Sequence, residues 1–70
     1  MGKRLKISEF VKSEILYFEE NCNFLPDESE YFNLRSKGKS NIEISLKMNV
    51  SERTVSNLSK AVIKKILKVI

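Results

Sequence analysis

From Glu52 onward, apolar side chains recur every three or four positions and cations fill the opposite side. At about 100° per residue, with Val55 as zero, Val55, Leu58, Val62, Ile66 and Val69 lie within about 60° of zero. Arg53, Asn57, Lys60, Lys64 and Lys68 fall between about 140° and 220°, on the far side. Only an α-helix of about five turns gathers these residues into two opposed faces. One such helix dominates a chain of 70 residues, because domains this small bury only about 60% of the surface of the unfolded chain. No other stretch alternates as a half-buried strand would. The expected fold is therefore all-α: one domain over residues 1–70, a small four-helix unit ending in a helix-turn-helix, with no sheet.

The residues between the helices supply the punctuation. Ile7, Phe10, Val11, Ile15, Phe18 and Cys22 form a stripe along a first helix of about 7–21, and Asn21 and Asn23 mark its end. Pro26 suits the first turn of a second helix over about 26–37, where its missing N–H costs nothing. Asp27, Glu28 and Glu30 favour the positive end of that helix dipole, and Arg35 and Lys37 the negative end. Gly38 stops it by taking the left-handed conformation. Ser40 then stands three residues before Glu43, the S-x-x-E of a capping box, and opens a short helix over 40–48. Ile42 and Leu46, with Ile44 as a further candidate, are expected to face inward. Asn49 can again turn left-handed, and Ser51 starts the last helix, about 52–69. Two helices joined by a turn this short make a helix-turn-helix.

The letters GKS at Gly38–Ser40 also end a nucleotide-binding phosphate loop, which needs G-x-x-x-x-G-K-[ST] between a strand and a helix. Asn33 stands where the first glycine belongs, and ESEYFNLRSK does not read as a buried strand. Ser40 is better explained as a cap. The chain has no histidine and a single cysteine, Cys22, at a helical core spacing. That removes most metal sites, thiol–imidazole pairs and imidazole-based proton transfer. No enzyme activity, cofactor, metal or small-molecule substrate is expected. No apolar run approaches the roughly 18 residues of a membrane span. The opening MGKRLKI leads into charged sequence rather than a signal core, so the expected location is the cytoplasm.

Charge is unevenly spread. Residues 1–34 hold four Lys/Arg against seven Asp/Glu, whereas residues 35–70 hold nine against two. A basic half with few acids is the footprint of a polyanion binder. On the last helix, short hydrogen-bonding side chains come first and lysines later. That order suits base edges at the N-terminal turns and phosphates further along.

The segment GKSNIEISLKMNVSERTVSNLSKAVIKKI resembles the helix-turn-helix of LuxR/GerE-type regulators, whose pattern is roughly G-x-S-x-x-E-I-A-x-x-L-x-[IV]-S-x-x-T-V-x-x-H-x-x-x-I-x-x-K-L. Gly38, Ser40, Glu43, Ile44, Val50, Ser51, Thr54, Val55, Val62 and Lys65 match in place. Pro26 and Glu28 match the L-T-P-x-E opening of the preceding helix, with Leu25 where threonine is usual. Ser45, Met48, Leu58 and Ile66 replace the usual alanine, leucine, histidine and leucine. LuxR-type domains continue past K-L into a helix that often pairs two subunits, and this sequence stops at Ile70. A helix ahead of the motif is instead similar to region 4 of bacterial sigma factors, which reads the promoter −35 element and docks on RNA polymerase. The resemblance implies a bacterial or phage transcription regulator that binds double-stranded DNA. By that resemblance Glu52, Arg53, Thr54, Ser56 and Asn57 enter the major groove. Ser40, Ser51, Lys60, Lys64 and Lys65 touch phosphates.

The competing reading is a protein module that grips RNA polymerase or a sigma factor through the acidic first half, with little DNA contact. Assembly also has two readings. Ile63, Leu67 and Ile70 form a second apolar stripe at about 60° to 120° on the last helix. Two chains pair there as a homodimer, or the first helix covers the stripe with Phe10, Val11, Ile15 and Leu16 and the domain is a monomer. The first is favoured, since uncovered apolar stripes mark interaction surfaces.

Overall fold

A computed structural model of the chain describes residues 6–70, so the first five positions of the expected domain lie outside the described residues. A 3₁₀ turn over Ile7–Glu9 is followed by α1 (Lys12–Asn21), α2 (Pro26–Ser36), α3 (Asn41–Met48) and α4 (Glu52–Val69). No strand occurs among the described residues. α4 is the central strut: α2 and α3 pack on it, the 3₁₀ turn packs on α2, and α1 leans on α4. Val55, Val62 and Ile66 are fully buried along it and meet Tyr31 and Phe32 of α2 and Ile44 of α3. Leu58 and Val69 flank this core, as their spacing requires.

The expected first helix is broken in two. Phe10 and Val11 are extended, and the Val11 N–H donates to the Glu14 carboxylate at 2.9 Å, which starts α1 afresh at Lys12. A straight helix carries Ile7, Phe10 and Val11 on one continuous stripe. The break instead turns Ile7 and Phe10 inward and leaves Val11 exposed. Phe10 then packs on Phe18 with ring centroids 5.2 Å apart and on Phe32 at 6.3 Å, and Phe24 closes on Phe32 at 5.1 Å. Offset aromatic pairs at these spacings add about 0.5–1.5 kcal/mol each beyond their buried area.

Two residues of α3 also depart from expectation. Ile42 and Leu46 point outward, 57% and 76% exposed. Ile44 and Met48 form the rival pair at i, i+4, and only one such face can rest on α4. Ser45 sits beside Ile44 in the buried row, and its hydroxyl donates to the Ile42 carbonyl at 2.7 Å, so no polar group is stranded there. The punctuation itself is as read. Gly38 has φ of 88° and Asn49 a φ of 57°. Asn23 is also left-handed, at 54°, and reverses the chain between α1 and α2. Cys22 is a free, buried thiol, and burial raises its pKa against the opposing influence of Lys65.

Candidate nucleic-acid interface

The cap at α3 fixes the turn. The Glu43 N–H donates to the Ser40 hydroxyl at 3.2 Å, and the Ser40 N–H donates to the Glu43 carboxylate at 2.9 Å. That second bond holds the Glu43 carboxyl below its ordinary pKa. At the other side of the turn, the Thr54 N–H donates to the Ser51 hydroxyl at 3.1 Å, and the two hydroxyls also meet at 3.1 Å. The Ser40 and Ser51 hydroxyls therefore each serve the local backbone, and the Thr54 hydroxyl meets that of Ser51. Ser40→Ala is expected to lower stability by about 1 kcal/mol through loss of the cap. In a domain of this size that is a fall of roughly 4–8 °C in melting temperature, read by circular dichroism.

With the turn fixed, α4 presents one long open face. Glu52, Arg53, Thr54, Ser56, Asn57, Lys60, Lys64 and Lys68 are all exposed. Among the described residues, none of Arg53, Lys60, Lys64 and Lys68 meets a carboxylate in an ion pair. Their charges stand free along one side of a helix whose other side is core.

Lys65 is different. Its ammonium donates to the Glu28 carboxylate at 2.5 Å and to the Asn23 carbonyl at 3.4 Å. The same Glu28 oxygen accepts the Leu25 N–H at 3.0 Å, so Glu28 makes its half of a capping box at the start of α2, whose other half Leu25 has no side-chain oxygen to make. Burial pushes the Glu28 carboxyl up, but the bonds from Lys65 and Leu25 and the Lys65 charge together hold it below its ordinary value. Lys65 thus belongs to a clasp between α4 and the start of α2, apart from the free cations. Sequence reading missed this role of Glu28, because 37 positions separate the partners and no local pattern joins them.

Ile63 is half-buried, whereas Leu67 and Ile70 are 59% and 76% exposed. Of the four residues expected to cover them, Val11 and Leu16 are exposed, whereas Phe10 and Ile15 are partly buried against the core. The second stripe on α4 is open at Leu67 and Ile70 and partly covered at Ile63.

A capped short helix, a tight turn and a long helix with a free cationic face constitute a helix-turn-helix of the DNA-binding kind. Residues 26–69 match the family of bacterial regulatory proteins known as the luxR family, described by the GerE model. The match takes in well over half of the chain, which belongs to this family of DNA-binding regulators. No curated protein and no solved structure matches it. No helix among the described residues is long and apolar enough to cross a membrane.

Proposed function

We propose that the protein is a sequence-specific regulator of transcription, acting in the cytoplasm, that lays the first turns of α4 in the major groove of duplex DNA. The observation that carries this reading is the face of Arg53, Asn57, Lys60 and Lys64, exposed and without an ion pair among the described residues, opposite the buried Val55, Val62 and Ile66. Arg53, Ser56 and Asn57 supply donors and acceptors for base edges, with Glu52 and Thr54 at the rim. Lys60 and Lys64 reach phosphates on either side, and the Ser40 and Ser51 turns approach the backbone. Lys65 stays with Glu28. A protein that neutralises about four phosphates shows a log–log salt slope of about −3.6. Fluorescence anisotropy on a duplex selected from random sequence, at several salt concentrations, measures it. A slope near zero would remove the DNA reading.

The exposed Leu67 and Ile70, with the half-buried Ile63 beside them, support a two-fold homodimer, since most self-association is two-fold. Two copies of α4 then stand side by side and prefer an inverted repeat with half-sites about 34–36 Å apart, or a multiple of that. The wild type is expected to sediment as a dimer at about 100 µM, and Ile63→Glu/Leu67→Glu as a monomer. A monomeric wild type at that concentration would leave a single half-site reader.

A second reading draws on α1, where Leu16 and Tyr17 are half-exposed among Glu14, Glu19 and Glu20. Its acidic, apolar surface has the wrong sign for DNA. It suits a basic protein partner such as RNA polymerase or a sigma factor, and a regulator can use both faces.

A further inference from the structure

A second basic feature lies on the flank of the helix-turn-helix, outside the recognition face. Lys6 and Ile7 of the N-terminal turn, Tyr31 and Arg35 of α2, Asn41 of α3, and Ser59 and Ile63 of α4 line a cavity of about 120 Å³. A single water needs roughly 10–15 Å³ of such volume, so the cavity admits a group of several heavy atoms. Its polar lining is two cations, two hydroxyls and one amide; no carboxylate lines it, although Glu9 stands 3.9 Å from the Lys6 ammonium, so Arg35 is the cation without an acidic neighbour among the described residues.

Arg35 is the informative residue. It is partly buried, and its one side-chain hydrogen bond among the described residues is from Nη1 to the Lys39 carbonyl at 2.8 Å. It meets no carboxylate there. A guanidinium offers five N–H donors in a fixed fork, and a partly desolvated one calls for an anion. Tyr31 is only 2% exposed and lines the same cavity; its hydroxyl is bonded to no described residue and keeps its contact with solvent there. Asn41 is the first residue of α3, so the positive end of that helix dipole adds to the field.

We propose that this cavity is an oxyanion site that takes a phosphate group, with Arg35 as its fork and Lys6, Tyr31, Asn41 and Ser59 as its other donors. Tetrahedral phosphate matches the donor count, the size and the net positive charge. The group comes either from the DNA backbone beside α4 or from a free phosphate compound.

Inorganic phosphate is the probe, titrated into the protein without DNA and compared with sodium chloride at matched ionic strength. At tenfold above its dissociation constant, phosphate is expected to raise the wild-type melting temperature by roughly 5 °C or more relative to chloride. Arg35→Gln and Tyr31→Phe should abolish most of that difference. Should Arg35→Gln fold poorly, Ser59→Ala carries the same comparison. Equal shifts with phosphate and chloride, or a phosphate response retained in folded variants, would overturn the site. Because this arm contains no DNA, its failure is distinct from failure of the DNA reading. Duplex binding then separates the two sources. A five- to tenfold loss for Tyr31→Phe and Ser59→Ala at fixed salt assigns the site to backbone phosphate. Unchanged duplex affinity, with the phosphate response lost, assigns it to a free compound.

Discussion

Glu28→Ala is expected to cost the domain about 2–4 kcal/mol, because it leaves Lys65 without its buried partner and the start of α2 without an acceptor. The lower part of the range for broken buried pairs applies, since the Lys65 side chain keeps 31% of its surface exposed. A chain of this length has only about 4–10 kcal/mol in total. The variant should therefore unfold at a much lower urea concentration, read by circular dichroism. An unchanged midpoint would show that the clasp contributes nothing.

The same pair sets a pH dependence. Glu28 titrates below its ordinary value of 4.5 in the folded chain. Its contribution is then fully present above the unfolded value and is lost as pH falls through the lower folded value. Wild-type stability should decline in that acid window. Lys65→Met removes the cation while keeping the stem. Burial then outweighs the remaining Leu25 bond and raises the carboxyl pKa, so the variant should gain stability as pH falls toward 4. Melting curves for the two proteins should converge in acid. Parallel curves would mean that Glu28 is not the group responsible.

This clasp also shows where sequence reading runs out. α4 was legible because its core and charge patterns repeat along one helix, and each turn restates the last. Ser40, Glu43, Gly38 and Asn49 were legible because caps and left-handed turns are local: three or four residues contain both the cause and the effect. Glu28 and Lys65 sit 37 positions apart, so their pairing needs the fold before it can be seen. Ile42 and Leu46 failed for a related reason. An eight-residue helix offers two apolar pairs at i, i+4, and only the position of α4 decides which is buried. At Val11, Glu14 is an ordinary capping acid reaching back over three residues. The periodic stripe across Ile7–Cys22 concealed that signal, because a helix start inside an apparently continuous stripe has no composition of its own. The cavity at Arg35 draws on four elements, and none of them is distinctive alone.

Removing Arg53 and Lys64 together is expected to lower affinity for the preferred duplex by about 2–4 kcal/mol, roughly 30- to 900-fold, while the protein stays folded. The fold should survive because both side chains are exposed, with no ion pair among the described residues. The two single changes should act differently. Arg53 stands in the first turn of α4, where a side chain can reach a base edge, so Arg53→Ala should relax preference at one or two base positions and cost about 1–3 kcal/mol at the preferred site. Lys64 lies three turns further on, at the reach of the backbone. Lys64→Ala should weaken all sequences alike and reduce the salt slope by about one. The two sites are about 16 Å apart along the helix and share no partner, so their costs should add within about 0.5 kcal/mol. Anisotropy titrations on the selected duplex and on a scrambled one, each at two salt concentrations, separate these effects. Should the double variant bind the selected duplex as tightly as the wild type, this face of α4 does not read DNA. Equal losses on both duplexes for Arg53→Ala would make Arg53 a phosphate contact and move base recognition to Ser56 and Asn57.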